Sequence, residues 1–383
     1  MRHPEHALAL RELRLRDFRN FAALDLEFPP GGAAVIGDNG SGKTNLLEAV
    51  YYLEIFRSFR GAADDQLVRF GADSFFIRGV FEEVRSGERH EVSAGYERRT
   101  RTKRVALDGV EPERLGDALG GLGAVVFSPS DVALVAGAPG ERRRFLDIVL
   151  SLNARGYFDA LQRYRGALRQ RNATLKAGTG SAHLAAWDAA LVAGGARVIA
   201  ERMRWVAEHA AAFGERFAAI GAGGTAELAY EGSVRLPAEP GAASVDAAAA
   251  AFTAELARVA ERERERGMTL VGPHRDDLAI RFGGTEEGVG LREFGSGGQQ
   301  RTAAIALRMI EAETIRAARD REPVVLLDDV FAELDPGRSR RILALMEEEE
   351  RGQVLLTAPK ESDVELRGGS LARWRIAAGR IET

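Results

Sequence analysis

Gly37-Asp38-Asn39-Gly40-Ser41-Gly42-Lys43-Thr44 places glycines, one lysine and one hydroxyl in the pattern G-x-x-x-x-G-K-[ST]. Each residue type has a part in holding a row of phosphates. The glycines let backbone N–H groups curl around anionic oxygens. Lys43 brings a positive charge to β- and γ-phosphates, and Thr44 offers its hydroxyl to a Mg²⁺ ion. A helix that starts here aims its positive end at the same anion. The pattern therefore points to ATP held by residues 37–44. Its surroundings suit that reading. Ala33-Ala-Val-Ile36 is a short apolar run that ends at a glycine, as a buried strand does. Leu46, Ala49, Val50 and Leu53 then recur at helical spacing, which predicts a helix over Thr44–Phe56. A glycine-rich turn without phosphate chemistry has no need of that strand–loop–helix order.

A second chemical signal lies far along the chain. Val324-Val-Leu-Leu327 runs straight into Asp328 and Asp329. Four apolar residues tipped with carboxylates describe a buried parallel strand, and α/β sheets bind ligands at that end of their strands. Asp328 is expected to meet Mg²⁺, through waters or Thr44. Asp329 is expected to position and polarise an attacking water. Alone, such a strand tip is as readily a solvated acidic turn; beside a phosphate loop the catalytic reading prevails.

Phe294-Gly-Ser-Gly-Gly-Gln-Gln-Arg-Thr302 leads into a helical run with Ile305, Leu307, Met309 and Ile310. A hydroxyl, bare glycine backbone and a helix start make an anion site, whereas a flexible linker would not run directly into a periodic helix. The segment resembles the signature motif of ABC ATPases. The resemblance implies that Ser296 and Gly298 contact the γ-phosphate bound by a second subunit, with Gln299 and Asp335 joining Lys43, Asp329 and Ser296 in the catalytic set. It also gives Thr357 a place, after the strand expected at Gln353–Leu356, where transporter ATPases carry a γ-phosphate-sensing histidine. A threonine there can hydrogen-bond but is no acid or base near neutral pH.

The order is phosphate loop, signature, acidic strand, with a long gap from Thr44 to Phe294. In transporter ATPases that gap is much shorter. A head split by a large insertion resembles the SMC and RecF group, and a short globular insertion favours RecF over the long coiled coil of SMC proteins. Gly137-Ala-Pro-Gly-Glu-Arg-Arg-Arg-Phe-Leu-Asp147 after Pro129-Ser-Asp131, and Leu327-Asp-Asp-Val-Phe-Ala-Glu-Leu-Asp335 followed by Arg338, resemble the two signatures of the RecF family. Gly272-Pro-His-Arg-Asp-Asp-Leu278 and Leu15-Arg-Asp-Phe-Arg-Asn-Phe21 are similar to it as well. The resemblance implies an α/β fold: an ABC-ATPase P-loop head of SMC/RecF type with an inserted helical domain. It further implies a weak DNA-dependent ATPase of recombinational repair that dimerises with ATP on duplex or gapped DNA. RecR, RecO and the RecA pathway are the implied protein partners. One departure is Asp329, where transporters carry glutamate; the shorter carboxylate suggests slow hydrolysis. Two other readings stay open, an SMC-like DNA scaffold without productive ATPase and a transporter ATPase subunit.

The elements that must position these motifs fall into three stretches. Residues 1–128 read as β-rich, with strands expected at Leu8–Leu15, Leu24–Phe28, Phe75–Glu83, His90–Tyr96, Arg104–Leu107 and Ala124–Phe127. Residues 129–222 are rich in Ala, Arg and Leu at helical spacing and read as the inserted helical domain. Residues 223–383 resume with a strand expected at Ala226–Tyr230 and a helix at Asp246–Arg266, then carry the signature and the acidic strand. The alternating Glu and Arg from Glu261 are expected to form a solvated helix face.

The chain of 383 residues has room for two or three domains. It contains no cysteine, which excludes disulfides and thiolate chemistry. No apolar run approaches a membrane span, and with no cysteine a cytoplasmic location is expected. The net charge of −4 offers no global attraction for nucleic acid, and DNA binding must come from local patches. Candidates are Arg98–Arg104, the group Arg163, Arg165, Arg169 and Arg171, and, favoured by the resemblance, Arg142, Arg143 and Arg144. Any of these is as readily a solvated face, and the last could instead pair with carboxylates. His274 and Arg275 lie beside acids and read equally as a salt-bridged turn or as part of a composite nucleotide site. With no aromatic platform evident for single strands, recognition by backbone and shape is expected.

Overall fold

Period-two alternation in Leu8–Phe18 buries Leu13 and Leu15 while Arg14 faces outward, and this begins a sheet. The computed structural model describes residues 7–178, 181–221, 224–236, 244–283, 289–331, 335–349, 352–361, 364, 371–377 and 379–383, with the backbone only at 181–182, 336 and 346–349. The chain starts with β1 (Leu8–Phe18), β2 (Phe21–Glu27), β3 (Gly32–Ile36), α1 (Lys43–Ile55), the single turn α2 (Asp64–Leu67), β4 (Ser74–Glu83), β5 (Arg89–Glu97), β6 (Thr102–Leu107) and β7 (Ala124–Phe127). Next come α3 (Ala133–Ala136), α4 (Pro139–Asn153), α5 (Tyr157–Ala177), α6 (Ser181–Ala219), β8 (Ala226–Glu231), α7 (Val245–Arg266), β9 (Asp277–Phe282), α8 (Leu291–Phe294) and α9 (Gly297–Arg319). It closes with β10 (Val324–Asp328), α10 (Pro336–Glu349), β11 (Val354–Ala358), β12 (Ala372–Ala377) and β13 (Arg380–Glu382).

Two compact units divide the chain. The first holds Met1–Asp131, Ala219–Gly221 and Leu307–Thr383. Its antiparallel sheet has the order β2-β1-β4-β5-β6, and its second sheet the order β13-β12-β3-β11-β10-β7. In the second sheet β12, β3, β11, β10 and β7 run parallel and only β13 turns back. The run α1 is buried on nearly every side, including Leu46, Leu47, Val50 and Leu53. Its buried acids are paired: Glu48 accepts from Arg19 and Glu54 from Leu122 N and Gly123 N. Gln353 joins the start of β11 to β1: its amide donates to Leu10 O at 2.9 Å and accepts from Leu10 N at 2.8 Å.

The second unit holds Val132–Ala218 and Ala222–Ala306. It overlaps the stretch 129–222 expected as a helical domain, without residues 129–131 and 219–221, and runs on to Ala306. The reason is its core, where Phe252, Leu256 and Val259 of α7 pack with Tyr164 of α5 and Leu191, Ile199 and Ala200 of α6. The hairpin of β8 with β9 belongs to the same unit. Its β9 strand was not anticipated, because Gly272–Leu278 reads as a turn. The last of the boundaries between the units falls inside α9, between Ala306 and Leu307. Among the described residues no helix is long and apolar enough to cross a membrane.

Candidate nucleotide-binding site

In the first unit β3 lies between β11 and β12 in parallel register, which brings Ile36 beside Ala358. The chain then leaves the sheet, and Gly37 N donates to Ala358 O at 3.3 Å. The turn needs its glycines. Gly42 has φ +115°, and a Cβ there would lie 2.4 Å from Asn20 Nδ2. A Cβ on Gly37 would lie 2.4 Å from Ile376 O. Asn20, in the turn between β1 and β2, donates from Nδ2 to Ser41 O at 3.0 Å and accepts from Asn45 Nδ2 at 2.8 Å. It thus braces both the loop and the first turn of α1. Sequence reasoning quoted Asn20 within Leu15–Phe21 and gave it no role; the signal was a lone amide in a tight turn.

Lys43 is 4% exposed, and its Nζ donates to Gly37 O at 2.8 Å and Asp38 O at 3.2 Å. Asp329 Oδ2 lies 3.8 Å from the same ammonium. Thr44 Oγ1 donates to Asp328 Oδ1 at 2.9 Å. Asp328 ends β10 opposite Thr357 of β11. The Thr357 hydroxyl accepts from Asp329 N at 3.0 Å and lies 3.0 Å from Asp328 Oδ1 and 3.4 Å from Asp329 Oδ1. A hydroxyl has one proton to give, and Asp328 is the nearer acceptor. The resemblance offers Thr357 to a γ-phosphate; here its hydroxyl donates to the Asp328 carboxylate and accepts from the Asp329 backbone. Asp329 takes φ +45°, turning the chain sharply at the strand tip.

Burial raises the pKa of Asp328, opposed by the hydrogen bonds from Thr44 and Thr357, while the neighbouring Asp329 charge adds to the rise. A carboxylate in that condition gains from a cation. Ser41 Oγ is buried and has no hydrogen-bond partner among the described residues. Asp38, Asn39 and Gly40 are exposed at the mouth of the loop. Loop donors, a buried lysine, an orphaned hydroxyl and a Thr–Asp pair together fit a nucleotide's phosphates with a divalent cation.

The signature lies in the second unit. Ser296 N donates to Gln299 Oε1 at 2.9 Å, and Gln299 N donates to Ser296 Oγ at 3.3 Å. This reciprocal capping box starts α9. Gln299, expected among the catalytic residues, is occupied in building that helix start. Gly298 O accepts from Thr302 Oγ1 at 2.9 Å, and Phe294, just before, is 72% exposed. Asp335, also expected to be catalytic, caps α10: its Oδ1 accepts from Gly337 N at 3.1 Å and Arg338 N at 3.0 Å. Those bonds lower its pKa. Residues 332–334 of the quoted family segment lie outside the described residues.

Of the three arginines of α4 expected to face DNA, Arg142 is enclosed by the protein. Arg142 is 5% exposed and pairs with Asp277 through Nε at 2.8 Å and Nη2 at 2.7 Å, with Val135 O and Gly137 O as further acceptors. A guanidinium enclosed in this way ties α4 to β9 and is not available to a phosphate backbone. Arg143 is half-buried and donates to Asp276 O at 2.8 Å, and Arg144 is exposed. His274 is held between the Tyr164 hydroxyl, 2.5 Å from Nδ1, and Thr269 O, 3.2 Å from Nε2.

Residues 9–368 match the family model of the RecF/RecN/SMC N-terminal domain. The DNA replication and repair protein RecF of Roseiflexus castenholzii is 37% identical over 96% of this chain and 98% of its own length. The chain belongs to the RecF family. RecF of Anaeromyxobacter dehalogenans is 40% identical over 88% of this chain and 89% of its own length. Among solved structures, the recombination mediator protein RecF with ATP, in the RecFOR pathway, superposes with TM-score 0.87 at 29% identity, covering 98% of this chain and 99% of that one. The Pyrococcus furiosus Smc head domain with ScpA matches at TM-score 0.56 and 16% identity, a likeness of fold.

Proposed function

We propose that this RecF-family chain binds ATP at residues 37–44, hydrolyses it slowly, and uses it to hold a homodimer on duplex or gapped DNA, helping to place recombinase at gaps. The observation that carries this reading is the bond from Thr44 to Asp328, with the buried Lys43 beside Asp329. It supports a site where phosphate and carboxylate chemistry meet at the C-terminal ends of neighbouring parallel strands. The names of the relatives, DNA replication and repair proteins and a recombination mediator with ATP, lend the biological context. RecR and RecO are the proposed partners, and the cytoplasm the proposed place of action.

In this mechanism the loop N–H groups and Lys43 orient the phosphates. Lys43 exchanges its backbone carbonyl acceptors for phosphate oxygens. Thr44 and Asp328 would hold Mg²⁺, which supplies Lewis-acid neutralisation of phosphate charge when bound. Asp329, oriented by the Thr357 hydroxyl at its backbone N–H, holds and polarises the attacking water. Ser296 and Gly298 serve the nucleotide of a second copy, so that dimerisation and ATP binding strengthen each other.

Sedimentation velocity tests the proposal, first with and without ATP, then with duplex DNA. ATP is expected to convert monomer to dimer, and DNA to co-sediment with the dimer. A chain that stays monomeric with ATP and leaves DNA behind contradicts it.

A further inference from the structure

Phe70, in the turn between α2 and β4 of the first unit, is 98% exposed. The turn that displays it is tightly built. Ala72 N donates to Arg69 O at 3.0 Å, and Gly71 has φ +83°, the positive value a type II turn needs at its third position. Arg69 anchors the near side: its backbone N donates to Asp17 O at 2.7 Å and its Nε to Asp17 Oδ1 at 2.7 Å. Arg98 anchors the far side, its N donating to Asp73 O at 2.8 Å and its Nη1 to Ala72 O at 2.8 Å. A phenyl ring is thus fixed in solvent by hydrogen bonds on both flanks. Arg98 also opens the turn between β5 and β6, whose last paired positions are Glu97 and Thr102. The basic residues of this hairpin divide into two sets. Lys103 is engaged, its Nζ donating to Phe56 O at 2.6 Å and meeting Asp64 Oδ2 at 2.8 Å. Arg99, Arg101 and Arg104 are exposed and make no hydrogen bond or ion pair with any described residue.

A single exposed apolar residue needs no explanation by itself, and a run of arginines is as readily a solvated face. Here the same hydrogen bonds tie the ring to the root of the arginine turn, so both are presented together. A partner that fits must carry negative charge and a flat π face at close spacing, which is the composition of a nucleotide strand. Guanidinium groups bind phosphodiesters, and bases stack on aromatic rings. In a duplex the base faces are covered by their neighbours, and a ring reaches them only by unstacking a step. Unpaired bases offer their faces at no such cost. We propose that Phe70, with Arg99 and Arg101, forms a contact for single-stranded DNA, the ring stacking on an unpaired base while the guanidinium groups hold the flanking phosphodiesters. This contact rests on the DNA-binding reading above and adds to it an element that meets bases, where the sequence pointed to backbone and shape alone.

Fluorescence anisotropy tests it with the full chain, ATP and three labelled DNAs: a duplex with a gap spanned by thymidines, the same duplex with abasic spacers across the gap, and a blunt duplex. Phe70→Ala is expected to weaken binding to the thymidine gap about tenfold or more, with an unchanged salt slope, and to match the parent on the other two DNAs. Phe70→Trp is expected to keep the parental affinity. Arg99→Gln with Arg101→Gln is expected to weaken binding to both gapped DNAs alike and to reduce the salt slope by roughly one to two. Val110→Ala, which trims another apolar side chain of this unit, 67% exposed, is expected to change nothing. Every replaced side chain is exposed, and circular dichroism checks that the variants fold. Parental affinity of Phe70→Ala for the thymidine gap, or an equal loss on the abasic gap, overturns the base contact. An equal loss on blunt duplex overturns its assignment to unpaired bases, and an unchanged slope in the arginine pair overturns the backbone contact. Binding to gapped DNA that is blind to Phe70 and to both arginines sinks the contact and leaves the proposed function standing. A Phe70-dependent response without an ATP-dependent dimer does the reverse. Failure of the parent on all three DNAs overturns both.

Discussion

Thr44 and Asp328, separated by 284 positions in the chain, share a hydrogen bond of 2.9 Å. The start of α1, which follows β3, is thereby joined to the end of β10; β3 and β10 have β11 between them in the sheet. The two neighbouring carboxylates have different surroundings. Asp328 is buried and bonded to two hydroxyls, whereas Asp329 keeps a quarter of its side chain exposed. Asp329→Asn is therefore expected to bind ATP normally and hydrolyse it about 10²–10⁴-fold more slowly, the range of a lost general base. Asp328→Asn is expected instead to raise the Mg²⁺ concentration needed for binding. Single-turnover hydrolysis and a Mg²⁺ titration separate the two, and a normal single-turnover rate in Asp329→Asn assigns the water to another residue.

Lys43 sits among carbonyl oxygens with its ammonium nearly enclosed. Lys43→Met is expected to weaken ATP about a hundredfold or more, the scale of truncating one partner of a buried charge pair. Lys43→Arg is expected to keep part of the affinity and lose turnover, because a planar fork cannot occupy the position of a compact ammonium. Equilibrium binding of a fluorescent ATP analogue measures both. Parental affinity in the methionine variant removes Lys43 from the site.

The second unit holds a buried ion network whose failure has a known cost. Arg171, 2% exposed, donates to Glu263 Oε2 at 2.7 Å, Asp188 Oδ1 at 2.5 Å and Thr269 Oγ1 at 2.9 Å. Arg171→Met leaves the fully buried Glu263 without its cation and is expected to destabilise by about 3–5 kcal/mol. Adding Glu263→Gln keeps an acceptor for Leu270 N and removes the orphaned charge, so it is expected to restore part of the loss. Urea denaturation of both variants decides; an equally unstable double variant shows that packing, not charge, is at stake.

His274 gives a pH dependence with a definite sign. Burial, with the charges of Arg275, Arg143 and Arg171, lowers its pKa from 6.5 to about 4. Between those values the unfolded chain takes up a proton that the folded chain refuses. This contribution to stability is full above pH 6.5 and is lost as the pH falls toward 4, on the order of 3 kcal/mol in all. His274→Gln is expected to flatten that part of the profile. Urea midpoints of parent and variant at pH 7.5 and 4.5, in buffers without phosphate, provide the comparison. Parallel losses in the two proteins show that other groups carry the pH effect.

Local signals made much of the first unit legible. Ala124–Phe127 forms the strand its composition predicts, and α1 starts one residue before the expected Thr44. Glycines, lysine and paired aspartates announced the site because phosphate chemistry restricts which residues can serve. The remainder depended on contacts that no local window contains. Arg142 reads as surface charge until Asp277, 135 positions away, encloses it. Leu278 and Ile280 of β9 were hidden because their partners on β8, Tyr230 and Leu228, lie before the whole of α7. Ser296 and Gln299 fit a capping box as well as a catalytic motif, and only geometry showed the box to be formed.

The last prediction concerns the dimer. Ser296 stands at the start of α9 in the second unit, and Lys43 in the first. If the signature serves a second copy, damage to Ser296 spares ATP binding by a single chain. Ser296→Arg removes a cap worth about 1 kcal/mol, too little to unfold the chain, and fills the space a partner's phosphate would take. It is expected to bind the ATP analogue as a monomer and not to dimerise. Lys43→Met is expected to fail for the opposite reason, with an intact signature and no bound nucleotide. Mixed together, the two variants form one complete composite site: the Ser296→Arg chain offers its phosphate loop and the Lys43→Met chain its signature. Sedimentation with a slowly hydrolysed analogue is expected to show monomers for each variant alone, and in the mixture a heterodimer holding one nucleotide. Normal dimerisation of Ser296→Arg with ATP shows that the signature is only a helix start, and that the dimer, where it forms, is held by other surfaces.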